Sequence, residues 1–190
     1  MHRTIATTSK YISLLIVLAL GLSLLVIPAA AADLPDSLYL IQSSGGRCTL
    51  ASAAMLVRSA LYNAGSDQWS SVTEQTLASS AWCSAGLYWT FSHTAGGLQV
   101  TVEHSDRSGL TLDGVKALLE SHPEGFVLYC SGLPHAVFVT DCIGGTVYCA
   151  DPVNGTRTTL ADSTLDRCGG QDDILRCVTS TWCVTEVTAA

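Results

Sequence analysis

His135-Ala136-Val137-Phe138-Val139-Thr140-Asp141-Cys142-Ile143-Gly144-Gly145-Thr146-Val147-Tyr148-Cys149-Ala150-Asp151 reads as two strands joined by a tight turn. Ala136, Phe138 and Thr140 alternate with Val137, Val139 and Asp141, the period of a strand. Gly144-Gly145 supplies the positive φ angles that a two-residue hairpin turn needs. Residues 147–150 then return antiparallel. The pairing brings Asp151 back opposite residues 133–135, within a residue or two. The strand that ends in Asp151 thus runs beside the one that His135 opens. Residues 126–130 read as the preceding strand and 156–160 as a following one. The tail, 178–187, alternates β-branched residues and is expected to close the sheet.

Upstream of this region the period changes. Leu50, Ala53, Ala54, Val57 and Leu61 recur at i, i+3, i+4, i+7 and i+11, one face of a helix over 49–61. Asn63-Ala64-Gly65-Ser66 ends it. A second helix is expected over 73–82. A third starts at Thr111-Leu112-Asp113-Gly114 and closes at Ser121-His122-Pro123. Residues 33–38 read as a short extended entry and 39–42 as a brief strand or turn. Residues 84–97 are rich in Gly, Ser and aromatics, and no element is assigned there. Helices come first and a meander of strands follows. That order predicts an α+β domain with a helix packed on an antiparallel sheet.

The N-terminus is set apart from the fold. Arg3 and Lys10 precede an apolar run over 11–27, and Pro28-Ala29-Ala30-Ala31-Ala32 follows. That is the pattern of a signal peptide spanning 1–32, cleaved after Ala31 or Ala32. An uncleaved anchor is the alternative. One domain of ordinary size, residues 33–190, remains. The formal net charge of the chain is −7, and losing Arg3 and Lys10 makes it more negative. An acidic surface argues against nucleic acid or an anionic membrane as partner. A secreted or extracytoplasmic protein is expected, of no assigned oligomeric state.

All eight cysteines lie beyond residue 32. Disulfides are the default reading for an exported chain, and Cys168, Cys177 and Cys183 are expected to include at least one disulfide partner. No pair has C-x-x-C spacing and no H-E-x-x-H is present, so neither metal nor cofactor is expected.

Cys48 stands out from the other seven. It follows Gln42-Ser43-Ser44-Gly45-Gly46-Arg47 and opens the first helix. A Gln, a Cys at a helix start, a distant His135 and an Asp151 sixteen residues later are the parts of a thiol hydrolase. In that reading Cys48 is the nucleophile, His135 the base, Asp151 its orienter and Gln42 an oxyanion donor. Each has a plainer reading. Cys48 is then half of a disulfide, His135 an ordinary loop-to-strand histidine, Asp151 a turn residue before Pro152, and Gln42 a surface polar. His93, His104 and His122 read as surface residues. Trp69, Trp82, Trp89 and Tyr88 read as core or cleft wall.

The ordered set resembles the papain-like superfamily of cysteine peptidases, and within it the C39-like peptidases. The matching parts are Gln42 and Cys48, Ala51-Ser52-Ala53-Ala54-Met55-Leu56 in the helix, His135 with its strand, the Gly144-Gly145 turn, and Val147-Tyr148-Cys149-Ala150-Asp151-Pro152. They span roughly residues 37–154. The resemblance implies a papain-like fold, a peptide or protein substrate, and the same four catalytic residues: Cys48, His135, Asp151 and Gln42. Thr49-Leu50 depart from it, because such proteins usually carry Gly directly after the nucleophile. No exporter membrane domain follows, so the leader-trimming role of the best-known branch is not carried over. A second function class stays open: a catalytically inactive, disulfide-stabilised binding or adhesion module on the same fold. The redox state of Cys48 separates the two.

Overall fold

Ala, Leu and Met dominate residues 50–56 and are among the strongest helix formers. In the computed structural model, which describes residues 34–190, they build helix α1, Cys48–Asn63. The expected signal segment lies outside the described residues. Gly65 closes α1 at φ 74°. Its N–H reaches Tyr62 O and the Ser66 N–H reaches Leu61 O, the Schellman pattern that satisfies the last carbonyls.

The helix is less one-sided than its periodicity predicts. Leu50, Ala51, Ala53, Ala54, Met55, Leu56, Val57 and Leu61 are all fully buried, and so are Ser52 and Ser59. A helix apolar on nearly every side belongs in a core. Each fully buried Leu or Met there contributes about 1.5–3 kcal/mol.

Arg58 is the one charge α1 buries. Its guanidinium donates to four backbone carbonyls, those of Val72, Ser37, Leu38 and Ser70, at 2.6–3.3 Å. These bonds tie the entry segment and the following loop to the helix. A short 3-10 turn, Asp36–Leu38, replaces the extended entry expected there.

The next two helices start on side-chain caps. Thr73 caps α2, Glu74–Ala81, and Thr111 caps α3, Leu112–Ser121. Near the C-terminus lies a short α4, Gln171–Arg176. A small hairpin of β1, Trp82–Cys83, and β2, Gly86–Leu87, follows α2.

The main sheet has seven strands, all antiparallel. In chain order they are β3 (Thr90–Ala95), β4 (Leu98–Asp106), β5 (Phe126–Cys130), β6 (His135–Ile143), β7 (Thr146–Asp151), β8 (Thr156–Thr159) and β9 (Ser180–Ala189). In space they run β3-β4-β9-β5-β6-β7-β8. The C-terminal strand therefore does not close an edge. It lies inside the sheet and joins the β3–β4 hairpin to the meander. The α+β class is as expected, but the sheet is covered on both faces. Ala136, Phe138, Ala150 and Trp182 pack with α1. Val137, Val139 and Cys149 pack with Val115, Leu165 and Ile174 on the other face.

One irregularity decides the site. Cys142 pairs with Val147 and Asp141 with Tyr148, as a Gly144–Gly145 turn requires, but Val139 pairs with Cys149 and Phe138 with Ala150. Thr140 is an extra residue in β6, a β-bulge. Continuing this register sets Asp151 opposite Val137, two residues beyond the 133–135 expected. Directly opposed residues share a face, so Asp151 has the parity of His135. Without the bulge Asp151 would fall opposite Phe138 and point to the other face.

Candidate active site

The α1 N-terminus sits over the start of β6, where Ser52 Oγ donates to Ala136 O at 3.3 Å. Cys48 is the first residue of α1, with Arg47 as N-cap and no acidic side chain in the first turn. The unpaired N–H groups and partial positive charge of that turn thus have no carboxylate to neutralise them. Cys48 is buried and is a free thiol.

His135 opens β6 beside Cys48, and the two side chains interact electrostatically. Its Nε2 meets Asp151 Oδ1 at 2.9 Å, which leaves Nδ1 for the thiol. Asp151 is fully buried, so its charge needs compensation. The Val153 N–H donates to Oδ1 at 2.9 Å. Thr164 donates to Oδ2 twice, from its N–H at 2.7 Å and its hydroxyl at 2.5 Å.

The electrostatics follow from these contacts. Burial alone would push the Cys48 thiol up. The His135 hydrogen bond and charge, with the Ala136 and Thr49 backbone, outweigh burial and hold it below the ordinary cysteine range. Burial would likewise lower His135, but Asp151 and Cys48 raise it to about 9. Burial opposes the Asp151 charge too, yet His135, Thr164 and Val153 bring its carboxyl down to about 2. Near neutral pH His135 therefore stands as imidazolium and Asp151 as carboxylate, and the Cys48 thiol is biased toward its thiolate. By contrast, burial pushes Cys130 and Cys183 up to about 12 and raises Cys149 as well.

Gln42 is fixed at the same end of the fold. Its N–H donates to Pro152 O at 2.7 Å, next to Asp151. The Ser43 N–H and hydroxyl both reach the Glu74 carboxylate, at 2.9 and 2.5 Å. Gly155, at φ 62°, lets this loop lie close, since a Cβ there would come within 2.5 Å of Ile41 Cγ1. Gln42 Oε1 is buried without a hydrogen-bond partner, and Gln42 does not line the cleft beside Cys48.

That cleft encloses about 530 Å³ and is lined by Cys48, Thr49, Trp82, Trp89, Tyr129 and Trp182, with His104 and Asp106 from β4. Trp82 and Trp89 are cleft wall, as their sequence context allowed. His104 corrects the surface reading. Its side chain is 8% exposed and packs between Trp89 and Trp182, at ring separations of 5.3 and 4.7 Å. His93 is half-buried and pairs with Ser80. Of the expected site residues, Cys48, His135 and Asp151 come together. Thr164, Tyr129 and Trp182 were not picked out from sequence. Thr164 lacks any local signal, and the other two reach the site only through β5 and β9 pairing.

Among the described residues no group of three or more His, Cys, Asp or Glu side chains is arranged to hold a metal ion. No helix among them is long and apolar enough to cross a membrane. The arrangement can do nucleophilic chemistry: an activated thiol, a positioned proton carrier, and an adjoining cleft for an acyl group. Compared with protein-family models, curated proteins and solved structures, the chain matches none.

Proposed function

We propose that the chain is an exported cysteine peptidase of the papain-like, C39-like kind, cleaving a peptide bond through Cys48, His135 and Asp151. The observation that carries this reading is the continuous relay from the Cys48 thiol through the His135 ring to the fully buried Asp151. The Cys48 thiolate attacks the scissile carbonyl carbon and forms a C–S bond. The oxyanion is held by the Cys48 N–H, with the Gln42 side-chain amide as the second donor in this reading. Imidazolium His135 gives its Nδ1 proton to the leaving amine as the C–N bond breaks, leaving a thioester. His135 then takes a proton from water, whose oxygen attacks the thioester. The acid is released and the thiol restored. Asp151 keeps the ring oriented and does not itself take up the proton.

The test is digestion of a peptide library read by mass spectrometry. Wild type generates new termini, whereas Cys48→Ala and His135→Ala generate none. Asp151→Asn keeps a small residual rate, and Gln42→Ala lowers turnover by the equivalent of about 2.7–4 kcal/mol, the usual cost of one oxyanion donor. A free, alkylatable Cys48 favours the peptidase, and an unreactive or disulfide-bonded Cys48 favours the binding-module alternative. A native protein with Cys48 in a disulfide and no cleavage would replace the peptidase reading with that one.

A further inference from the structure

We propose that the aromatic cleft beside Cys48 is an arginine subsite, in which a substrate guanidinium stacks on Trp89 and pairs with the Asp106 carboxylate. The inference rests on the peptidase reading for its chemistry, but the recognition is argued from the cleft alone.

Trp89 offers a free aromatic face. His104 covers one side of the indole at 5.3 Å and 20°, yet the residue remains 70% exposed. The stack is held from behind. Trp182 packs against His104 and fixes its own ring by donating Nε1–H to Tyr88 O at 3.1 Å. The His104 N–H also reaches Trp89 O at 2.7 Å. The open face is thus preorganised, which reduces the cost of ordering on binding.

Asp106 supplies the charge. It sits two residues after His104 on β4, so both side chains lie on one face of the strand. Its side chain is 84% exposed, with His104 Nε2 3.7 Å away. Among the described residues no lysine or arginine lines the cleft, although Arg47 lies over Trp82, and the chain is acidic, so the overall field favours a cation.

A π face and a carboxylate lining one cleft, both set against His104, match a guanidinium better than any other side chain. Arginine is planar, stacks on aromatic rings and forks onto carboxylates. An apolar aromatic guest would use Trp89 but would take Asp106 out of water unpaired. The chain itself shows the affinity of these rings for guanidinium. Arg47 lies 5.4 Å from the centre of the Trp82 ring, also in the cleft. The Trp82 site is therefore taken, and the Trp89 site is open.

The experiment separates recognition from catalysis. Acetylated, amidated peptides identical except for one Arg, Lys, citrulline or Phe are titrated into Cys48→Ala, with tryptophan fluorescence and calorimetry as readouts. The Arg peptide is expected to bind about tenfold more tightly than the citrulline isostere, a difference of about 1.4 kcal/mol. Asp106→Asn and Trp89→Ala in that background should each reduce the ratio to near one, with circular dichroism unchanged because both side chains are largely exposed. Equal binding of Arg and citrulline, a preference for Phe, or an Arg preference that survives Asp106→Asn would overturn the subsite. Wild type is assayed in parallel. Arg-selective binding without cleavage of any peptide by wild type would leave the subsite standing and remove the peptidase.

Discussion

Thr164 gives both its backbone N–H and its hydroxyl to Asp151 Oδ2, at 2.7 and 2.5 Å. This threonine sits in a 3-10 turn, Thr164–Cys168, on the far side of the sheet from α1. It is a positioning residue, acting on the thiol only through Asp151 and His135. Thr164→Val keeps the shape and the N–H but loses the hydroxyl donor. The Asp151 carboxyl should then rise from about 2 toward its ordinary value, because a hydrogen bond to the charged form has been removed. The acid limb of the kcat/KM profile should move to higher pH, and the proposed peptidase activity at neutral pH should fall about tenfold as the imidazole loses its fixed orientation. Thr164→Ser should restore both. An unshifted acid limb in Thr164→Val would show that the hydroxyl is only packing.

Iodoacetamide reads the thiolate directly. In the folded, unoxidised protein Cys48 should be alkylated first at pH 7, ahead of Cys130, Cys149 and Cys183, whose burial raises their thiols. His135→Ala removes the largest causes that lower Cys48 and leaves only the Ala136 and Thr49 backbone against burial. Its alkylation at pH 7 should therefore drop at least tenfold and become measurable only at more alkaline pH. The catalytic pH profile should show an alkaline limb near 9, where His135 loses its proton. The stability terms have opposite signs. His135 is raised on folding, so its contribution is complete below its unfolded pKa of about 6.5 and is lost as pH rises through about 9. Asp151 is lowered, so its contribution is complete above about 3.9 and is lost as pH falls through about 2. Urea midpoints measured from pH 2 to 10 check both signs.

Arg58 is a test of the core rather than of the chemistry. Replacing it with Met keeps much of the volume but leaves four carbonyls without their donor. A buried acceptor left unpaired costs about 1–3 kcal/mol. Some of these carbonyls will recover water, so a net loss of about 3 kcal/mol is expected from the shift in urea midpoint. Trp69, which carries the guanidinium 5.8 Å from its ring centre, provides a fluorescence signal for the same transition. A loss below about 1 kcal/mol would mean the loop carbonyls are readily solvated.

The local signals in the sequence were sound where structure is local. The Gly144–Gly145 hairpin, the α1 helix with its Asn63-Ala64-Gly65-Ser66 stop, and the Thr111 cap all depend on residues a few positions apart. So do His135 at a strand start and Asp151 at a strand end. Apart from one local hairpin, what escaped depends on partners far along the chain. Thr90–Ala95 and Leu98–Asp106 form a hairpin around Gly96–Gly97, at φ 58° and 74°. The same glycine signal was present there but lay beside a stretch rich in Ser and aromatics. His104 is buried only because Ser180–Ala189 enters between β4 and β5 and brings Trp182 beside it. The Thr140 bulge, which gives Asp151 the parity of His135, leaves no mark in a sequence whose alternation runs straight through it. Thr164 is thirteen residues from Asp151 and belongs to no motif.

The C-terminal cysteines give the last prediction. Cys168 ends its 3-10 turn, and Cys177 follows α4 directly. Their thiols interact, and both stay thiols in this structure. Cys177 is exposed and Cys168 half-buried, so an oxidant can reach them, whereas neighbouring Cys130 is buried. Oxidation would close a short loop around α4, the segment that supports Ile174 and Leu175 in the core behind β5 and β6. For a loop of about ten residues the chain-entropy model gives about 3 kcal/mol of stabilisation. Protein recovered from an oxidising compartment should show a Cys168–Cys177 cross-linked peptide in a non-reducing map, with Cys48 unmodified. Reduction should lower the urea midpoint without changing the Cys48 alkylation rate, because the bridge lies outside the relay. Free Cys168 and Cys177 in such a preparation would remove the bridge. A bridge that instead captures Cys48 would remove the nucleophile and, with it, the peptidase reading.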